Sequence, residues 1–132
     1  MAKLGFSDHF EILDLHWSAY GALIEEAYHR DMVIFDRRSV PEELLPKVEA
    51  DLVRIRQALD EARRVLANDA TRVAYRKSFV NTFQLKSGVE LYMEKGETAL
   101  LRRNHREAMD CFKRVLELDP SQVVARQHLA GG

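Results

Sequence analysis

The sequence from Lys47 to Leu66 reads KVEADLVRIRQALDEARRVL and decides the fold class. Its apolar residues recur at steps of three and four: Val48, Leu52, Ile55, Leu59, Ala62, Val65 and Leu66. This spacing gives a long helix with one apolar face, which has to pack antiparallel on a preceding helix. No proline lies between Pro46 and Pro120, and only two glycines interrupt that stretch. The sequence therefore predicts an all-α protein.

Helical periodicity also precedes this segment. We expect a short helix entered through Ser7 and Asp8, followed by a longer helix over residues 18–35. Because proline disfavours a helix interior, Pro41 and Pro46 are expected to bracket a separate turn of helix, with the next helix beginning near residue 47.

Three further helical segments are expected after residue 66. Thr71 is predicted to cap the first, whose apolar residues are Val73, Ala74, Tyr75, Phe79 and Phe83. The next segment carries Leu91, Tyr92, Gly96, Ala99 and Leu100 and ends at a polar break over residues 103–105. The last of the three points Ala108, Phe112, Val115 and Leu116 inward.

Length and composition narrow the class of protein. The chain has 132 residues, 20 basic and 21 acidic side chains, and a net charge of -1. No global charge would therefore hold it on nucleic acid or an anionic membrane. The single cysteine excludes an internal disulfide, residues 1–7 lack the apolar core of a signal peptide, and no apolar run approaches a membrane span. We expect a cytoplasmic protein.

Four short stretches follow one another in a specific order over residues 7–78. They read DHFEILDL at 8–15, IEEAY at 24–28, LDEARRVL at 59–66 and RVAY at 72–75. Together they resemble DYYEILGL, IKKAY, INEAYEVL and RALY, the motifs of the J-domain, which is the helical module of DnaJ-type co-chaperones. The resemblance implies a J-like helical domain over residues 1–80.

One functional motif of the J-domain family is missing. In that family a His-Pro-Asp tripeptide after the second helix stimulates the ATPase of a DnaK-type chaperone, assisted by a basic helix face. Here the tripeptide position holds Asp36, Arg37 and Arg38, and Glu25 and Glu26 replace two lysines of the basic face. Since like charges oppose docking on an acidic partner, the resemblance implies the fold without the co-chaperone activity.

The second half carries a pattern of small, aromatic and proline positions that runs from Val89 to Pro120. Its signature positions are Gly96, Ala108, Phe112 and Pro120. They resemble a tetratricopeptide repeat, although Ala99 and Val115 stand where the repeat usually has Tyr and Ala. Two small residues would let the helices of the hairpin approach closely, with the aromatic ring between them. The resemblance implies one repeat plus a partial or capping helix over residues 81–132.

No constellation of residues in the sequence points to catalysis, a cofactor or a metal. The five histidines are scattered, without the spacing that metal ligands need. Glu25 and Glu26 are adjacent and so point about 100° apart on a helix. Cys111 precedes a core residue and has no identifiable activating partner, and there is no glycine-rich phosphate loop. We expect no enzymatic activity and no cofactor.

A local excess of basic residues lies between Arg54 and Lys77. Seven cations face three carboxylates there, which leaves +4: the cations are Arg54, Arg56, Arg63, Arg64, Arg72, Arg76 and Lys77. Such a stripe can contact phosphates or an acidic protein surface. Several of its arginines, however, lie three or four positions from Asp60 or Glu61 and can pair along the helix, so nucleic-acid binding is not the favoured interpretation.

These observations predict a non-catalytic adaptor whose partner is another protein. The candidate partner-binding residues are Trp17, Arg54, Arg63, Arg64 and Leu129. A divergent co-chaperone that still regulates a DnaK-type ATPase is the alternative, and nucleic-acid binding through the basic stripe is a third.

The C-terminal third offers a second mode of association. Apolar surface from Leu116, Val124 and Leu129 exceeds what one hairpin can cover. We expect either a homodimer through this surface or docking of residues 121–129 on the chain's own helices, with the homodimer favoured.

Overall fold

A computed structural model describes residues 8–131 of the chain. Over these residues it contains seven α-helices and one 3-10 helix: α1 His9–Ile12, α2 Gly21–Ile34, the 3-10 helix Arg37–Ser39, α3 Leu45–Leu66, α4 Asp69–Lys77, α5 Thr82–Leu101, α6 His105–Leu118 and α7 Val123–Gly131. No strand occurs among the described residues, and the all-α prediction is confirmed. Residues 1–7 lie outside this range, and with them the expectation that no signal peptide occurs there and the expectation that Ser7 helps to cap α1.

The chain divides into two compact units, with the boundary between Arg76 and Lys77. The boundary predicted from the sequence lies four residues later, between residues 80 and 81. The first unit contains α1 to α4 and the 3-10 helix, and the second contains α5 to α7.

In the first unit, α1 and α2 pack against α3 around an apolar core. Its buried members are Phe10, Leu13, Ala19, Ile24, Ala27, Ile55, Leu59, Ala62 and Leu66. Glu25, early in α2, contacts Arg63, late in α3, whereas Met32, late in α2, contacts Arg56, earlier in α3. The two helices are therefore antiparallel. Five of the seven residues in the predicted apolar row of α3 are buried, and Val48 and Val65 are half-buried at its edges.

The helix boundaries near proline and near Asn68 differ from the predicted ones. Helix α3 begins at Leu45, because proline is well tolerated in the first turn, and Pro46 therefore does not separate it from a further turn. The predicted cap of α4 at Thr71 is wrong: the Asn68 side chain accepts a hydrogen bond from the Thr71 N–H at 3.1 Å, so Asn68 caps the helix. Helix α2 begins at Gly21, three residues after the predicted start.

Only part of the predicted apolar face of α4 is borne out: Tyr75 packs half-buried against the core of the first unit. The helix ends at Lys77, and Phe79 and Phe83 lie beyond it on the surface, with Phe83 77% exposed. The residues that α4 buries are instead two arginines, Arg72 and Arg76.

In the second unit, the hairpin of α5 and α6 is packed closely at Gly96. A Cβ atom added there would lie 2.7 Å from Phe112 Cε1, closer than side chains tolerate, so only glycine permits this approach. Phe112 and Ala108 are fully buried. Asn81 begins α5 with a reciprocal capping box to Gln84, and Asn104 caps α6.

Helix α7 packs on α6 within the same chain. Ala125 is fully buried, Leu129 is half-buried against the same core, and the His128 ring stacks on Phe112 at 4.5 Å. Of the two expected arrangements of residues 121–129, the chain therefore shows the intramolecular one. Leu116 also belongs to this core, so less apolar surface is left uncovered than the sequence suggested. Association with a second copy stays a prediction.

We predict that Ala108→Leu destabilises the second unit, because three extra carbon atoms have no space beside the α5–α6 contact. The expected loss is about 1–3 kcal/mol. Thermal unfolding followed by circular dichroism measures it, with Ala50→Leu on the exposed side of α3 as a control expected to stay within about 0.5 kcal/mol. Equal shifts for the two variants would contradict the described packing.

Candidate protein-interaction surface

The residues at the tripeptide position form a closed, ion-paired turn. Asp36 caps the 3-10 helix by accepting the Arg38 N–H at 2.8 Å. Its two carboxylate oxygens also accept from Arg38 Nε at 3.1 Å and Nη2 at 3.0 Å. These hydrogen bonds from Arg38 lower the pKa of Asp36 from 3.8 to about 2. Arg37 points to a different partner and pairs with Glu49 of α3 at 3.0 Å.

The C-terminal end of α2 is tied to α3 directly before this turn. Arg56 Nη1 donates to the carbonyl oxygens of Met32 at 3.0 Å and Phe35 at 3.3 Å. Ser39 Oγ donates to the Val33 carbonyl at 3.1 Å. Carbonyls at the C-terminal end of a helix lack a partner in the following turn, and a cation there also faces the negative end of the helix dipole. The Val33 carbonyl accepts in addition the Asp36 N–H at 3.4 Å. The turn is therefore held in one position relative to both helices.

A polar seam joins the exposed edges of α2 and α3. Arg63 binds Glu25 through Nε at 3.1 Å and lies over the Tyr28 ring at 4.9 Å. The Tyr28 hydroxyl donates to Asp60 at 2.6 Å, and this hydrogen bond raises the pKa of Tyr28. Glu25, one of the two acidic residues singled out in the sequence, is therefore bound by an arginine of the same chain. Glu26 is exposed.

Two shallow pockets lie on either side of Asp36 and Arg56. We call the first, of about 400 Å³, the α2 pocket; its lining includes His29, Met32, Val33, Asp36, Arg38 and Arg56. We call the second, of about 250 Å³, the α3 pocket; it is lined by Asp36, Arg37, Glu49, Leu52, Val53 and Arg56. Each pocket contains one solvent-exposed valine, since Val33 is 70% exposed and Val53 50%.

The exposed arginines of the predicted basic stripe are paired within the chain. Arg54 binds Asp51, Arg63 binds Glu25, and Arg64 binds Glu61. Two of these carboxylates, Asp51 and Glu25, lie outside the residues counted for the local charge of +4. The count therefore overstates the positive charge that the surface presents.

The prediction that Arg72 and Arg76 belong to this surface is wrong. Arg72 is buried and donates to the Leu66 carbonyl at 3.0 Å and to Asp69 at 2.7 Å. Arg76 is buried and donates to the carbonyls of Trp17 at 2.7 Å and Ala19 at 3.2 Å. Backbone carbonyls compensate for the loss of water around these guanidinium groups, which is why arginine can lie inside.

The remaining candidate partner-binding residues are not gathered in one site. Trp17, whose position at a helix start fits either an exposed anchor or a core contact, is half-buried on the core of the first unit, with the His16 ring 4.5 Å away. Leu129 packs inside the second unit. The residues that do come together at the α2 pocket are Met32 and Val33 with Arg38 and Arg56, a grouping that sequence reasoning missed.

The signature positions of the second unit are mostly interior. Gly96, Ala108 and Phe112 lie inside the helix packing, whereas Pro120 is exposed. A groove of about 350 Å³ runs along α5, with Glu94, Lys95, Arg102 and Glu107 in its lining. Burial raises the pKa of the Cys111 thiol, so little of it is the nucleophilic thiolate at neutral pH.

The described residues, 8–131, offer neither a metal-binding cluster nor a membrane-spanning helix. No group of three or more His, Cys, Asp or Glu side chains within this range could hold a metal ion. None of the helices in the described chain is both long and apolar enough to cross a bilayer.

Comparison with protein-family models, with curated proteins and with solved structures finds no match for this chain.

We predict that Arg76→Met destabilises the first unit, because the carbonyls of Trp17 and Ala19 lose their donor. The expected cost is on the order of 1–3 kcal/mol. Trp17 is the only tryptophan and reports this unit by fluorescence during urea unfolding. Arg54→Met, which removes an exposed pair, is the control and should cost no more than about 1 kcal/mol. An Arg76→Met variant as stable as the control would refute the buried role.

We predict that Arg38→Gln raises the pKa of Asp36 from about 2 toward its ordinary value of 3.8. Because the folded-state pKa is the lower one, the contribution of Asp36 to stability is complete above pH 3.8 and is lost as the pH falls toward 2. Side-chain carboxyl titration by NMR measures the midpoint. Arg37→Gln, whose guanidinium binds Glu49, should leave it unchanged. An identical midpoint in all three proteins would contradict the Asp36–Arg38 interaction.

Proposed function

We propose that the chain is a non-catalytic protein-interaction module, formed by a J-like unit without the His-Pro-Asp tripeptide and by a unit resembling one tetratricopeptide repeat. The observation that carries this proposal is the turn at the tripeptide position. Its carboxylate, Asp36, is bound by Arg38 through three hydrogen bonds, and its other arginine, Arg37, is paired with Glu49. A DnaK-type chaperone would meet one carboxylate and two guanidinium groups here in place of the His-Pro-Asp side chains.

The charges on α2 support the same proposal. Glu25 is engaged by Arg63 across the helix hairpin, and Glu26 is exposed. An acidic docking surface would meet carboxylates where the J-domain family presents lysines. Like-charge contacts of this kind oppose association, so a DnaK-type chaperone is not the favoured partner.

The arginine pairings argue against the nucleic-acid alternative. Phosphates would have to displace Asp51, Glu25 and Glu61 from the exposed arginines of α3. Two further arginines of the stripe, Arg72 and Arg76, are buried and cannot reach a nucleic-acid backbone. The single, buried cysteine suits a reducing compartment, and we propose the cytoplasm.

The experiment is single-turnover ATP hydrolysis by a DnaK-type chaperone with and without this chain, using a J-domain that contains His-Pro-Asp as the positive control. We expect no acceleration by the chain. A several-fold acceleration that Asp36→Ala abolishes would contradict the proposal and establish the divergent co-chaperone instead.

A matched variant tests the J-like character independently. Asp36→His, Arg37→Pro and Arg38→Asp together restore the tripeptide, and Glu25→Lys with Glu26→Lys restores the basic face. If the first unit is J-like, this folded five-site variant should accelerate ATP hydrolysis while the natural sequence does not. A variant that folds and stays inactive would argue against the J-like assignment.

A further inference from the structure

The α2 pocket combines exposed apolar surface with positive charge. Val33 is 70% exposed in the last turns of α2, and it lies beside Met32, a flexible and polarisable side chain that adapts to different apolar groups. Methionine and arginine are both enriched at the centre of protein interfaces. An aliphatic side chain placed against these two residues would remove the exposed valine from water.

The charge of the α2 pocket is unbalanced. Its lining contains the guanidinium groups of Arg38 and Arg56 but only one carboxylate, that of Asp36. The Arg38 side chain is 88% exposed and uses two of its nitrogens for Asp36, so donors of its planar group remain directed to solvent. A second carboxylate would complete the charge balance and could bind Arg38 in a geometry that guanidinium favours.

The α3 pocket has a different charge and provides a comparison within the same surface. Its two guanidinium groups, Arg37 and Arg56, are matched by two carboxylates, Asp36 and Glu49. It also contains an exposed valine, Val53, so its apolar character resembles that of the α2 pocket. Asp36 and Arg56 line both pockets, so the charge difference is that Arg38 in the α2 pocket has no further carboxylate in that lining, whereas Arg37 in the α3 pocket has Glu49.

The α2 pocket is formed before any partner arrives. Arg56 fixes the end of α2, Ser39 binds the Val33 carbonyl, and Asp36 holds the Arg38 backbone. A preformed site avoids the entropy that a mobile loop would lose on binding. The pocket is shallow, so it would bury little of a free small molecule, whereas a peptide segment can extend beyond it past the turn that holds Arg38.

We propose that the α2 pocket binds an acidic segment of another protein, with an aliphatic side chain against Met32 and Val33 and a neighbouring carboxylate on Arg38. This inference rests on the proposed function as a protein-interaction module and specifies the chemistry of its partner. The occupant is a peptide segment, and the carboxylate is the feature that selects it.

The test uses two synthetic peptides with the same leucines. The acidic one is acetyl-Glu-Leu-Asp-Leu-Glu-amide, and in the second each acidic residue is replaced by its amide. Titration into the labelled full chain, followed by NMR, should shift the signals of His29, Val33 and Arg38 for the acidic peptide. We expect the amide peptide to bind at least about tenfold more weakly.

Variants of the two pockets provide matched controls. Val33→Ser and Arg38→Gln should each weaken binding of the acidic peptide about tenfold, as hot-spot residues do. Val53→Ser and Arg37→Gln, the equivalent changes in the α3 pocket, should leave the affinity within about twofold. Val33 is exposed, so its substitution is not expected to unfold the protein, and the unchanged NMR spectrum of the free variant checks this.

Three outcomes would overturn the inference: no shift at millimolar acidic peptide, equal binding of both peptides, or equal effects of the two sets of variants. Binding of a single-stranded oligonucleotide with the same dependence on Arg38 would also overturn it in favour of a phosphate ligand. Failure here leaves the ATPase result unaffected, so the two proposals can fail separately.

Discussion

The surface of the first unit depends on the position of one guanidinium group, that of Arg56. It bonds two backbone carbonyls at the end of α2 and lines both the α2 pocket and the α3 pocket. Because Ile55 and Leu59 bury the inner face of α3, the helix cannot rotate to carry Arg56 elsewhere. Charged donors make strong hydrogen bonds to helix-terminal carbonyls. Because core packing fixes α3, Arg56 holds the end of α2, and with it the turn over residues 36–39, in one position.

Periodicity was sufficient to predict the helices, because their apolar faces repeat in the sequence. Most of the row in α3 and most of the inward residues of α6 are buried as predicted. Periodicity failed for α4, where it treated Arg72 and Arg76 as surface residues. The carbonyls that bind Arg76 lie 59 and 57 residues earlier in the chain. A contact over this sequence distance leaves no trace in local spacing. The only local signal is that Arg72 and Arg76 lie four residues apart and so share one face of a short helix.

The same limit applies to the candidate site. The resemblance drew attention to Asp36, Arg37 and Arg38, but the sequence did not indicate which arginine binds which carboxylate. It also left two environments open for Trp17, because an aromatic residue before a helix fits either an exposed anchor or a core contact, and the chain shows the core contact. The apolar face of α7 predicts that this helix packs against another helix. The periodicity is the same whether that helix belongs to the same chain or to a second copy.

The net charge of -1 conceals how the charges are arranged. On α3, most exposed arginines face a carboxylate that neutralises them, so neither the total nor the local excess of +4 describes what a partner would meet. Arg37 and Arg38 illustrate this point, since they are neighbours of the same type and both are exposed. Arg37 lies in a pocket with equal numbers of guanidinium and carboxylate groups, whereas Arg38 lies in one with an excess guanidinium. Selectivity between these pockets therefore arises from pairing in three dimensions, which is why substitutions at adjacent positions should have different effects.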